Sequence, residues 1–311
     1  MPPASPVPAA SGASARAVRI AARTAQLEGL GIRRALPTRQ QRMVGAWCFL
    51  DHIGPVEFAP GQGMHVGAHP HTGLQTFTWM IEGEILHRDS LGSAQVVRPG
   101  AVNLMTAGHG IAHTEDSLPS SARLHAAQLW IALPPDQAGC APAFEHYPQL
   151  PAWHEQGCTL TLLAGSCAGR TAPVRVFSPL LGLDIASAQG GRLHLPLDPA
   201  FEHGLLPLEG SVQAAQDPFG PGEFAYFAPG TAALALELAP GSRILLLGGA
   251  PLAAPPMLWW NFVGATREDI DRARQDWESG SARFGAVEGG GHRRIPAPGW
   301  DGARPVAPRA G

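Results

Sequence analysis

Short apolar runs cut by a turn signal every eight to twelve residues narrow the fold more than any other feature of this chain. Residues 76–81 (TFTWMI) are rich in β-branched and aromatic side chains, and Glu82-Gly83-Glu84 turns the chain behind them. Residues 85–89 read as the return strand, and Asp89-Ser90-Leu91-Gly92-Ser93 as the next turn. Residues 95–97 stop at Pro99-Gly100, residues 102–106 form another strand, and Ala107-Gly108-His109-Gly110 is a flexible loop. Residues 125–133 make a long apolar strand ended by Pro134-Pro135. With 45% apolar residues, the 38 glycines and 31 prolines serve as turns rather than as signs of disorder. The pattern predicts an all-β chain of sandwiches or barrels.

A length of 311 residues suggests two domains. A faint internal echo supports this: Glu82-Gly83 and Pro99-Gly100 in the first half are matched by Glu209-Gly210 and Pro229-Gly230 in the second. Residues 18–134 are expected to form the first domain, 135–157 a Pro-rich linker, and 158–285 the second. Residues 1–17 read as flexible and 286–311 as a loose tail. One helix interrupts the β pattern. Thr266-Arg267-Glu268-Asp269 resembles a capping box, Ile270, Ala273 and Trp277 follow at helical spacing, and Gly280 can stop the helix.

The net charge of −3, with every one of the 22 basic residues an arginine, gives no basic footprint for nucleic acid. No window approaches 18 unbroken apolar residues, so no membrane span is expected. The N-terminal stretch lacks the charged start and continuous apolar run of a signal peptide. Cys48, Cys140, Cys158 and Cys167 are scattered without a CxxC pair and read as reduced thiols in a cytoplasmic protein.

The chemistry concentrates in two short segments. His69-Pro70-His71 puts two imidazoles on one face of a strand, about 7 Å apart at Cα, close enough to converge on one ion at about 2.1 Å. His113-Thr114-Glu115 repeats the spacing. If the two strands pair, three ring nitrogens and one carboxylate meet. Thirteen histidines will place an H-x-H somewhere by chance, so the weight rests on its surroundings. Gly63, Gly83, Pro99-Gly100, Gly108 and Gly110 supply the turns that carry the second pair back to the first. His194 and His203 have no carboxylate at ligand spacing and read as surface or packed histidines.

Gly63-x5-His69-x-His71-x3-Gln75-x7-Gly83 resembles the first cupin motif. More narrowly, HPHTGLQT (69–76), MIEGEILHRDSLG (80–92) and NLMTAGHGIAHTED (103–116) are similar to the pirin family, as are 47–55 and 261–285. The resemblance covers roughly residues 18–285. It implies two tandem cupin (double-stranded β-helix, or jelly-roll) domains, a metal-free C-terminal cupin and a monomer. It also implies one metal in the N-terminal cupin, usually iron, held by His69, His71, His113 and Glu115. Mixed nitrogen and oxygen donors leave Mn, Co, Ni, Cu and Zn open. Two departures stand out. Gln75 replaces a glutamate of the motif and would keep a polar partner near the metal without its charge. His109 stands in the loop where arginine is frequent, and reads as a residue at the pocket mouth rather than a fifth ligand. Met64, Phe77 and Met105 are pocket-wall candidates that equally suit the barrel core.

Two functions follow from the resemblance. The first is a quercetin 2,3-dioxygenase-like oxidoreductase that takes a small aromatic substrate and O2, with Glu115 as a general base. The second is an iron-dependent redox-sensing regulator acting through protein partners.

Overall fold

In a computed structural model, which describes residues 16–289 and 294–299, strands account for about 54% and helix for about 5% of the chain. The expected flexibility of residues 1–15 and of 300–311 lies outside the described residues.

The architecture is two cupin domains, each built from one large and one small antiparallel sheet. The large N-terminal sheet runs Ala143–Tyr147, Val102–Thr106, Leu74–Glu82, Arg123–Ala132, Trp47–Glu57, Leu30–Leu36, Arg23–Leu27 in spatial order. The small one runs His65–His71, Ile111–Ser117, Ile85–Asp89, Ala94–Val97. In the C-terminal half the central strands of the large sheet are Glu202–Glu209, Ser242–Gly249 and Leu180–Ser187, and its small sheet has Gly191–Pro196, Ala233–Leu238, Val212–Ala214 and Asp217–Phe219.

The domain limits drawn from sequence are crossed in two places. Val18–Ala21 pairs antiparallel with Glu223–Phe227, so the first described strand lies in the C-terminal sheet and Arg23–Leu27 then enters the N-terminal one. The Pro-rich stretch 135–157 carries two strands: Ala143–Tyr147 pairs with Val102–Thr106, and Ala152–Glu155 with Cys158–Cys167. Pro142, Pro148 and Pro151 flank these strands without interrupting them.

The two large sheets pack face to face through a shared core. Trp47, Leu50, Phe77 and Leu129 from one side meet Leu206, Phe224, Leu245 and Leu247 from the other. Each buried large side chain contributes about 1.5–3 kcal/mol. The Trp47 indole Nε1 crosses the junction and donates to the carbonyls of Leu181 and Gly248, both at 3.2 Å. Gly45 and Gly249 touch backbone to backbone there: a Cβ at Gly45, whose φ is +53°, would lie 2.5 Å from the Gly249 Cα. Phe77 and Met105 are core residues, in separate clusters.

The expected helix spans Arg267–Glu278. Thr266 Oγ1 accepts from the Asp269 amide at 3.2 Å and Asp269 Oδ2 accepts from the Thr266 amide at 3.0 Å, which closes the capping box. Ile270, Ala273 and Trp277 form its buried face. The segment after it, read as loose, is held over residues 294–299. Ile295 donates its amide to the Ala68 carbonyl at 2.8 Å, and its own carbonyl accepts from Trp277 Nε1 at 2.9 Å. Among the described residues no helix is long and apolar enough to cross a membrane.

Candidate metal centre

His65–His71 and Ile111–Ser117 are antiparallel neighbours, with His69 directly opposite His113. The i, i+2 periodicity of a strand turns His69 and His71 to one face, and pairing brings His113 to the same place. One ring nitrogen from each of His69, His71 and His113 lies within 4.8 Å of the other two. The Nε2 atoms of His71 and His113 are 3.1 Å apart.

Local hydrogen bonds set which nitrogen each ring offers. His69 Nδ1 donates to the Gly67 carbonyl at 2.8 Å and leaves Nε2 with its lone pair. His113 is held by a relay that the sequence reading missed. Its Nδ1 lies 3.3 Å from His87 Nδ1, and His87 Nε2 lies 3.1 Å from Asp89 Oδ2. With the Asp89 carboxylate accepting from His87 Nε2, His87 Nδ1 accepts from His113 Nδ1, and His113 Nε2 is left free toward His71. The signal was present: His87 and Asp89 form another i, i+2 pair, on a stretch read as a return strand but not for ligand-orienting groups.

All three rings of the cluster are buried. Burial pushes His69 down to about 4, and burial together with neighbouring imidazoles holds His71 and His113 well below the usual histidine range. They are therefore neutral, with lone pairs converging. One proton can bridge one pair of rings, whereas only a cation meets all three. The donor set fits a borderline transition-metal ion.

Glu115 is on the same strand and lines the same cavity, yet it stands outside the three-histidine cluster. A bulge lies between the two residues in this pairing: His113 pairs with His69, but Glu115 pairs with Val66 where an unbroken register would give Gly67. Burial, with the nearby charge of Asp116, raises its carboxyl to about 7.

The cavity has a volume of about 390 Å³. The small sheet supplies His69, His71, His113, Glu115 and Val66, and the large sheet supplies Arg34, Phe49, Asp51, Gln128 and Trp130. Met64 lines it as well, and Ile295 reaches it from the C-terminal segment.

Other sequence candidates lie elsewhere. Gln75 is buried but serves the domain junction: its Nε2 donates to Thr106 Oγ1 at 3.0 Å and to the Arg175 carbonyl at 3.1 Å. Strand alternation explains this, since Gln75 shares a face with Phe77 and Trp79, which point at the second domain. His109 is exposed beside a second cavity and is absent from the lining of the first. His194 is exposed and His203 is fully buried in the C-terminal domain.

Residues 29–131 match the family model described as Pirin, and residues 182–285 the one described as Pirin C-terminal cupin domain. The chain is 59% identical over 281 residues to a Pseudomonas aeruginosa protein provisionally assigned as a quercetin 2,3-dioxygenase, covering 90% of this chain and 89% of that one. A crystal structure of quercetin 2,3-dioxygenase from Acinetobacter baumannii superposes with a TM-score of 0.90 at 45% identity, over 94% of this chain and 97% of that one. A nickel(II) complex of the bacterial pirin YhhW from Escherichia coli shares the fold at a TM-score of 0.60 and 21% identity, over 76% and 100% of the two chains.

Proposed function

The chain belongs to the pirin family, and from that premise we propose that it is an iron-dependent oxygenase that cleaves the heterocyclic ring of quercetin-like flavonols. One observation carries the reading: three buried, neutral imidazoles converge on one cavity. Relatives named for quercetin 2,3-dioxygenase support the substrate class.

In this proposal His69, His71 and His113 would hold the metal and Glu115 would be the fourth donor. A bound transition metal supplies Lewis acidity and a place to organise dioxygen. The protein's own groups do the rest. His87 and Asp89 fix the His113 ring with Nε2 toward the cavity. Phe49, Met64, Val66 and Trp130 give the cavity an apolar wall that excludes bulk water from a flat aromatic ligand. Glu115, loosened from the metal, would take the proton from a substrate hydroxyl as the general base.

Anaerobic loading with Fe(II), followed by quercetin and then oxygen, tests the reading. Wild type should consume the flavonol, and His69→Ala treated identically should not. Turnover no faster than that control would overturn the proposal.

A further inference from the structure

The cavity wall opposite the histidines is ordered in a way that metal binding does not require. Trp130 stands edge-on to His71, with ring centroids 5.1 Å apart. Phe49 stacks on Trp130 at 3.9 Å with an interplanar angle of 12°. The Arg34 guanidinium carbon lies 4.3 Å over the Phe49 ring. A continuous column therefore runs from a candidate metal ligand to a cation.

A polar row lies on the adjacent rung of the same sheet. Asp51 is opposite both Arg34 and Gln128 in the strand register. Arg34 grips Asp51 with a two-pronged contact, Nε to Oδ1 and Nη2 to Oδ2, both 2.7 Å. That fork uses two of the five N–H donors of the guanidinium and fixes its plane. Thr78 Oγ1 donates to Gln128 Oε1 at 2.7 Å, which leaves the Gln128 Nε2 amide for the cavity that the residue lines. Arg23, opposite Arg34 on the edge strand, lines the same end. The carboxylates there are Asp51, already held by Arg34, and Glu28, in an exposed turn where solvent screens it. This end of the cavity presents the held donors of Arg34 and Gln128, with the Arg23 cation beside them.

We propose that this end is a carboxylate subsite, so that the cavity takes a flat aromatic acid with its chelating oxygens at the histidines and its carboxylate at Arg34 and Gln128. The inference rests on the oxygenase reading above and sharpens its substrate class from neutral flavonols to aromatic acids. The guanidinium is pre-organised by Asp51 and Phe49, so little side-chain entropy is lost when the anion binds. A bidentate or charge-assisted contact adds to that.

Calorimetric titration of the zinc-loaded protein in the absence of oxygen tests it without any turnover. The probes are 3-hydroxyflavone and 3-hydroxyflavone-4′-carboxylate, which share a chelating head and differ at the far end. The acid is expected to bind at least 10-fold more tightly to wild type. Arg34→Lys keeps a cation beside Asp51 but removes the fork, and Gln128→Leu removes the amide. Each should cut that preference several-fold, with zinc content and thermal midpoint checked alongside. Equal affinity of the two probes for wild type, or a preference that survives both substitutions, overturns the subsite and leaves the oxygenase reading standing. Failure of both probes to bind the zinc-loaded protein overturns the two together.

Discussion

His87 and His113 face each other Nδ1 to Nδ1 at 3.3 Å, and Asp89 anchors the far side of His87. The contact decides the tautomer of a candidate ligand without touching the ion site itself. His87→Phe preserves the ring that stacks on Phe144 at 4.4 Å but removes the acceptor. Metal affinity should fall by roughly 10–100-fold, the range for loss of a ligand's orienting partner. His113→Ala should lower it much further. Competition with a chelator, read by elemental analysis of the protein, separates the two. Equal affinity of His87→Phe and wild type would show that the relay does not orient the ligand.

The junction between the domains is predicted to act as one cooperative unit. Trp47 is fully buried and its indole satisfies two carbonyls of the second domain. Trp47→Phe keeps much of the apolar volume and leaves those carbonyls short of a donor. The expected cost is about 1–3 kcal/mol. In urea, probes in both domains should shift to a lower midpoint together. A loss confined to the N-terminal domain would contradict shared stability.

How much of this was readable from residues varies with the range of the interaction. The i, i+2 pairs His69/His71 and His113/Glu115 were legible because strand periodicity fixes a face locally, and the capping box of Thr266 and Asp269 because it spans three residues. What was not legible depends on pairing. The bulge between His113 and Glu115 in the pairing with His65–His71 is a property of two strands together. Gln75 was expected beside the metal as a polar partner by its place in a motif, whereas the alternation of its own strand points it at the second domain. Arg34, Asp51 and Gln128 lie far apart in sequence and become a row only through register. The crossing of Val18–Ala21 into the C-terminal sheet has no local signature at all.

A second histidine pair gives a pH prediction away from the metal. His52 Nε2 and His125 Nε2 are 2.8 Å apart in a buried setting, and Glu209 Oε1 lies 3.8 Å from His125 Nδ1. Burial, then the partner ring and Arg33, pushes His52 down to about 3. Burial, then Arg243 and Arg123, pushes His125 down to about 4. The unfolded chain, with ordinary histidines near 6.5, then binds more protons than the folded one below that pH. Stability from this pair is complete above about 6.5 and is lost as pH falls toward 4 and 3. The thermal midpoint of wild type should drop between pH 7.5 and 5, and His125→Gln should show a smaller drop. Ring-proton shifts of both histidines should stay at their neutral values down to about pH 5; titration of either near 6.5 would refute the assignment.

Ile295 is a wall of the histidine-lined cavity contributed by a segment beyond the helix. Its amide is tied to Ala68, one residue before His69, and its carbonyl to Trp277, against which the Arg294 guanidinium packs at 3.5 Å. The Ala297 amide adds a bond to Glu278 Oε1 at 2.8 Å. These contacts are made by backbone groups and by neighbours, so the Ile295 side chain can change while the segment stays in place. Ile295→Trp should fill part of the cavity and weaken binding of 3-hydroxyflavone to the zinc-loaded protein by 10-fold or more, at unchanged zinc content. Ile295→Ala removes a side chain that packs against the core cluster containing Met64 and Val66 and should widen the cavity, so that bulkier ring systems gain relative to 3-hydroxyflavone. The opposite dependence on size in the two variants is the diagnostic result, because a purely structural role for Ile295 would lower affinity for every ligand alike.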